Sequence, residues 1–396
     1  MEKKMRVYFD HSATTSVKQE VVDKMLPFFT NNYGNASSQH FFGREAVAHV
    51  DNARDIIAKE LNCKSGEIYF TSGGTEADNW AIKGIALANK NRGKHIMVSA
   101  IEHAAILESA RQLEKYGFEV SYIPVDKDGR VDIDFIEKNI RDDTTLVAVM
   151  YVNNEVGTIQ DVKRINEIAK SKKAYFLTDA VQATSSLKLD VKDLGCDLMT
   201  ISAHKIGGPK GIGLLYVRSG VRIEKLLTGG HQERMMRGGT TNVPLIVGFA
   251  EAVRLNALSR EENNVKVKAI RDHFVDRVLK EIPFVTLNGS VEHRVVSNAN
   301  FSFEFIEGES ILFSLDLNGI AVSSGSACSS GSLLPSHVLL AMGVKEELAH
   351  GSIRFSFGEE NSIEEVDYAV DKLKEIVEKL RNLSPLFKVE GEIKNV

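Results

Sequence analysis

Cysteine is scarce in this chain: three in 396 residues, at Cys63, Cys196 and Cys328, far apart and never as a CxxC pair. That spacing excludes a disulfide framework and a zinc site built on cysteine pairs, and any special thiol must act singly. Long apolar runs are missing too. No stretch approaches the roughly 18 apolar residues a membrane helix needs, so the bilayer is not the expected solvent. The opening MEKKMRVYFDHS carries positive charge but no apolar segment leading to a cleavage site, which argues against a secretory signal and for a cytoplasmic protein. There is no basic block, and a formal net charge of -5 offers nothing to a polyphosphate backbone, so nucleic acid is not an expected partner. Neither a GxxxxGK phosphate loop nor GxGxxG occurs, which disfavours nucleoside triphosphates and dinucleotides. Internal repeats and low-complexity segments are likewise lacking.

What is present is ordinary for a soluble globular protein, 43% hydrophobic and 26% charged, and the length allows two folding units. From Glu67 to Arg218 short β-rich runs recur, namely EIYFTS, KHIMVSA, EVSYIPV, TLVAVMYV, AYFLTDA, DLMTISA and GIGLLYV. Helical patterns such as Thr75 to Ala88 and Ala104 to Tyr116 separate several of them. Continuous apolar strands alternating with helices predict an α/β domain whose mostly parallel, seven-stranded sheet is covered by helices on both faces. After Ala252 the pattern becomes an amphipathic helix (Glu261 to Ile282), strands such as ANFSFEFI and SIRFSFG, and a closing helix with a Ser362/Glu365 capping box. This predicts a smaller α+β domain. The expected division is 15–255 for the large domain, and 1–14 with 256–396 for the small one. The tail after Pro385 is expected to be loosely held.

In open parallel sheets ligands bind beyond the carboxyl ends of the strands, and the conspicuous polar residues fall there: Thr75, His103, Asn154, Asp179, His204 and Lys205. Each has a plain alternative. Asp179, ending an apolar strand, is either a helix N-cap or the partner of a protonated ring nitrogen on a cofactor, where a charged pyridinium is an electron sink. TSGGTEADN is either a tight turn capped by Thr75 or a helix N-terminus that holds one phosphate. Lys205, in ISAHKIGGPKGIG, is a solvated cation unless its amine is neutral enough to attack a carbonyl carbon. That requires a pKa pulled well below about 10.4 by desolvation or a nearby positive charge. Around Cys328, SSGSACSSGS is nearly all small residues, which predicts a mobile loop with an accessible thiol. In SIRFSFG the strand period puts Arg354 opposite Ile353 and Phe355, so its guanidinium is a surface charge or a bidentate clamp for an amino acid's carboxylate. Cys63 and Cys196 read as structural.

TSGGTEADN, EHAAI, VNNEVGT, TDAVQ, SAHKIGGPKGIG, RGGTTN and SSGSACSSG, in that order, strongly resemble the cysteine desulfurases of the class V aminotransferase group, pyridoxal-phosphate enzymes of fold type I. The likeness runs from about Tyr8 to about Leu386. It implies that Lys205 holds pyridoxal 5′-phosphate as a Schiff base and later moves protons, that Asp179 binds the ring nitrogen, and that Gln182 and Asn154 face the ring hydroxyl. His103 would stack on the ring and exchange a proton, and Gly74, Thr75, Ser202 and His204 would hold the phosphate. Thr240 would reach the phosphate of a neighbouring subunit, making a homodimer. Asn35 and Arg354 would bind L-cysteine, and Cys328 would take its sulfur as a persulfide, leaving alanine. No metal is implied. The long spacing from Cys328 to Arg354 resembles the group that passes sulfur to a scaffold protein in iron–sulfur cluster assembly. A selenocysteine lyase, a class V transaminase that releases no sulfur, and a scaffold without turnover are the alternatives. The chain departs from the family pattern at His11, where asparagine is typical, and at Glu359, where arginine is common. Both departures bear on substrate placement.

Overall fold

The computed structural model describes residues 5–324 and 334–387. The strands run in chain order as β1 (Val7–Tyr8), β2 (Ile68–Thr71), β3 (His95–Ser99), β4 (Glu119–Ile123), β5 (Thr144–Ala148), β6 (Tyr175–Asp179), β7 (Leu198–Ser202) and β8 (Gly213–Val217), then β9 (Val285–Asn288), β10 (Asn298–Phe303), β11 (Ile320–Ala321), β12 (Ser323–Ser324) and β13 (Ser352–Ser356). Seven of them form one sheet in the order β2-β8-β7-β6-β5-β3-β4. Only β8 runs against its neighbours, β2 and β7; the other pairs are parallel, as the apolar runs predict.

Alternation along each strand feeds two hydrophobic layers. Ile96, Val98, Leu146 and Leu177 pack against the helices Gly74–Asn89 and Ala104–Glu114. Met97, Val147, Phe176 and Met199 face the other side, with residues of Phe41–Glu60, Val162–Ser171 and the start of Val243–Glu281. Because both faces are covered, β3, β5 and β7 are buried along their whole length.

A second core gathers Phe274, Phe301, Phe303, Phe355 and Phe357 around the antiparallel sheet β12-β13-β10-β9 and the helix Ile363–Leu383. Val7 and Phe9 belong to this core, and β1 pairs in parallel with β11. The capping box of the closing helix is present: Ser362 Oγ accepts from Glu365 N, and Glu365 returns a carboxylate to Ser362 N.

Two expectations differ from the structure. The helix expected from Glu261 begins at Val243 and runs 39 residues to Glu281. Its first turns bury Val243, Ile246, Phe249, Ala250, Ala252 and Val253, so no polar face exists there to set up an amphipathic period. Of the tail after Pro385 only Leu386 and Phe387 fall within the described residues, and there Phe387 packs its ring against Phe284 and Phe305. Among the described residues no helix is long and apolar enough to cross a membrane.

Candidate functional site

The carboxyl ends of β6 and β7 carry the centre of the site. Asp179 closes β6 and is 5% exposed. Its Oδ1 accepts from Val181 N at 2.8 Å. Burial raises its pKa, while the Val181 bond and the nearby His103 and Lys205 oppose that rise. Ser202 ends β7, and the 3-10 turn Ala203–Lys205 follows at once. That abrupt turn projects Lys205, whose Nζ donates to Ser12 O at 2.5 Å and Ala13 O at 2.8 Å. Gln182 Nε2 donates to the same Ser12 carbonyl at 2.9 Å. His204 Nδ1 pairs with Thr14 Oγ1 at 3.1 Å. Burial, then Lys205 and Lys210, pull the His204 imidazole down to about 4, so it is neutral at pH 7.

The helix Gly74–Asn89 points its N-terminus at this turn. Gly73 is its N-cap, with φ 155° and no side-chain cap, so its first amide donors are left to whatever binds there. A Cβ on Gly74 would stand 3.1 Å from Val181 Cγ2 and 3.7 Å from Ser202 Cβ, which ties the helix start to the ends of β6 and β7. Thr75, the next residue, is exposed. His103 is the N-cap of Ala104–Glu114, and its Nδ1 accepts from Ala105 N at 3.1 Å. In the neutral ring the proton therefore sits on Nε2.

Arg354 is the residue whose surroundings differ most from the open strand face that its sequence allows. It is 3% exposed. Nη1 donates to Asn154 O at 3.0 Å, Nη2 donates to Asp10 Oδ1 at 2.9 Å, and Nε is buried with no hydrogen-bond partner among the described residues. Asn154, also buried, thus joins the large sheet to β13. A pocket opens beside Lys205 and Gln182, lined also by His11, Asn256, Asn263 and Glu359.

The two unusual residues have local roles. His11 sits edge-on to Tyr8 at 5.0 Å, and burial lowers its pKa. Glu359 pairs with Lys18 at 2.6 Å and accepts from Asn263 Nδ2.

Two expected site residues are not hydrogen-bonded to this centre among the described residues. Asn35 is exposed and accepts from Ser37 N at 2.9 Å, and among the described residues no hydrogen bond joins it to Arg354. Thr240 is exposed and lines a separate pocket with Thr71, Ser72 and Arg237. Cys328 lies outside the described residues. Of the other thiols, burial pushes Cys63 up to about 12 and holds the buried Cys196 well above the ordinary range. Both are therefore poor nucleophiles at neutral pH. Among the described residues no cluster of three or more His, Cys, Asp or Glu side chains is placed to hold a metal ion.

Sequence reasoning missed Asp10, although it stands next to His11 in YFDHSATT. It also passed over Asp78 in TSGGTEADN, Glu102 in EHAAI and Glu155 in VNNEVGT, all buried carboxylates within quoted motifs. For Asp78, a carboxylate inside an otherwise small and apolar helical turn was the available signal; Asp10, Glu102 and Glu155 lie outside helices and gave none.

Fold and strand-end site together define an α/β transferase-type enzyme, and residues 7–369 match the family model described as Aminotransferase class-V. The chain is 52% identical over 380 residues to "Cysteine desulfurase IscS" of Methanosarcina thermophila, covering 96% of this chain and 94% of the relative. A solved "NIFS-LIKE PROTEIN" superposes with a TM-score of 0.90 at 39% identity, over 95% of this chain and all of that one. A second, "SspA in complex with cysteine", gives a TM-score of 0.80 at 33% identity, over 90% of this chain and all of that one. The chain belongs to the cysteine desulfurases of the class-V aminotransferase family.

Pyridoxal 5′-phosphate is the cofactor of this family, and the residues present fit it. A buried carboxylate at Asp179 calls for a cationic partner, the uncapped helix end at Gly73 calls for an anion, and Lys205 follows Asp179 by 26 positions and lies near it in space.

Proposed function

We propose that this enzyme converts L-cysteine to L-alanine and keeps the sulfur as a persulfide on Cys328, for an acceptor such as an iron–sulfur scaffold protein. The observation that carries the proposal is the convergence of Asp179, Lys205 and an uncapped helix N-terminus beside the buried Arg354. The large unit, 15–255, would hold the cofactor, and 1–14 with 256–396 would bring Arg354 and Cys328 to it. Free thiols at Cys63 and Cys196 suit a reducing compartment, and we take the enzyme as cytoplasmic.

When bound, the cofactor supplies an electron sink for the substrate's Cα. Asp179 would hold the ring nitrogen and favour its charged form. Gln182 and Asn154 would bind the ring hydroxyl, and Gly74, Thr75, Ser202 and His204 would hold the phosphate. His204, being neutral, offers a ring N–H rather than a second cation. Lys205 anchors the cofactor, then takes the Cα proton and later returns it, as a positioned base and acid. Arg354 has two nitrogens engaged by Asn154 and Asp10, which fix its plane; the substrate carboxylate meets the remaining edge, with Asn35 assisting.

Cys328 Sγ attacks the substrate sulfur. An S–S bond forms, the Cβ–S bond breaks, and its electron pair stays with carbon and is protonated. L-Cysteine and the thiolate thereby become L-alanine and the enzyme persulfide. His103, whose Nδ1 is engaged by Ala105 N, would exchange a proton through Nε2 during this step. Thr240, exposed in its own chain, is assigned to the phosphate of a partner subunit in a homodimer.

The test is to incubate the holoenzyme with L-cysteine and quantify alanine and protein-bound sulfane sulfur in a single turnover. Equal yields are expected. Turnover that persists in Cys328→Ala, or conversion of L-cysteine to a sulfur-retaining 2-oxo acid without alanine, would replace this reading with a transaminase.

A further inference from the structure

Asp78 has no part in the reaction as described, yet it lies directly behind the site. It is 2% exposed on the helix Gly74–Asn89. Its Oδ1 stands 2.7 Å from Thr200 Oγ1, across 122 positions of sequence. Thr200 is the ladder partner of Asp179 in the β6–β7 pair, and its hydroxyl also engages the Asp179 carboxylate. One hydroxyl, with one proton to donate, therefore sits between two buried carboxylates. Two anions in that position would repel each other in a dry interior, so the pair must hold an extra proton.

The surroundings decide where that proton goes. Asp179 has Val181 N, His103 and Lys205 to favour its charge. The charged or titratable groups acting on Asp78 are Asp179 and Glu102, both acidic. Glu102 is itself fully buried and accepts from Met150 N at 2.7 Å. Burial raises the pKa of Asp78 well above the carboxylate range, and the neighbouring acids push it the same way.

We propose that Asp78 is a positioning residue for the cofactor: it stays protonated, donates its O–H to Thr200 Oγ1, and so turns the Thr200 hydroxyl proton onto Asp179, which remains ionised against the ring nitrogen. The proposal rests on the reading that Asp179 holds that nitrogen. A neutral carboxyl thus acts through a hydroxyl to keep a second carboxylate negative, and no atom of Asp78 needs to touch the cofactor.

The test loads the holoenzyme with cofactor labelled with nitrogen-15 in the ring. It reads the ring-nitrogen chemical shift across neutral pH, together with the cofactor dissociation constant. Thr200→Val, which keeps the side chain's shape and removes its hydroxyl, should weaken cofactor binding about tenfold and lower the ring nitrogen's pKa by about one unit, the loss expected for one hydrogen bond to a charged group. Asp78→Leu should do the same. Asp78→Asn, whose amide N–H replaces the carboxyl O–H as donor, should restore both readouts to near the wild-type values. If Asp78→Asn is as impaired as Asp78→Leu, Asp78 works as an anion and the proposal is overturned. If Asp78→Leu does not fold, a Thr200→Val variant with unaltered ring protonation overturns it equally. Asp179→Ala separates the two layers. Should the ring nitrogen stay protonated in that variant, the underlying reading fails; should it deprotonate while Thr200→Val changes nothing, only the relay fails.

Discussion

Glu155 offers a stability test of how the two cores are joined. Its side chain is buried, its carboxylate accepts from Ser336 Oγ, and its backbone carbonyl takes Asn298 Nδ2 and Asn300 Nδ2. Burial pushes its pKa from 4.5 up to about 7, against the opposing pull of the Ser336 bond and Arg354. A folded-state pKa above the unfolded one means that the native state holds the proton more tightly. The stability this brings is complete below about pH 4.5 and is lost as pH rises to about 7. A shift from 4.5 to about 7 corresponds to about 3 kcal/mol at 1.36 kcal/mol per unit. Glu155→Gln is neutral at every pH, keeps an oxygen for Ser336, and escapes that loss. Urea denaturation of the apoprotein, followed by far-UV circular dichroism at points from acid to mildly alkaline pH, should show the variant gaining on wild type by most of that amount as pH rises. A variant-minus-wild-type difference that stays flat would refute the reasoning, because Glu155 would then be ionised and satisfied in the fold.

Arg354→Lys keeps a charge but cannot hold Asn154 O and Asp10 Oδ1 while presenting a planar edge; steady-state kinetics should show KM for L-cysteine raised about tenfold or more, with kcat less affected. Gly73→Ala meets no atom within 4 Å, yet its φ of 155° is closed to side chains; denaturation should report a loss of about 1–3 kcal/mol, with weaker cofactor binding. Alkylation by iodoacetamide at neutral pH, mapped by mass spectrometry, should label Cys328 and spare Cys63 and Cys196, whose thiols burial holds protonated. Rapid labelling of Cys63 would contradict its placement.

The strands were legible because a parallel sheet covered on both faces makes each strand mostly apolar, and β3, β5 and β7, buried along their length, carry only His, Ser and Thr as polar residues. The same physics hid the start of the long helix, since a mostly buried stretch that is apolar nearly all round, as at Val243 to Val253, carries no period. Phe387 gave no local sign of docking, because its partners Phe284 and Phe305 lie about a hundred and about eighty positions earlier. At the site, Asp179 and Lys205 could be found because strand ends are where such sheets bind ligands. The partners that give them their character could not.

Those partners share one feature, which is sequence separation. Ser12 reaches Lys205 across 193 positions, Asp10 reaches Arg354 across 344, and Thr200 reaches Asp78 across 122. None follows from helical or strand periodicity, because each is set by how distant elements meet. The burial of Arg354 illustrates the consequence. Alternation along SIRFSFG correctly placed it opposite Ile353 and Phe355, yet it left open whether that face met water or protein. Asp10 and Asn154 settle the matter by supplying an anion and a carbonyl to a guanidinium that would otherwise be too costly to bury. A buried charge is stable only with such partners, so the residues that make this site reactive are also those whose state a linear reading determines least.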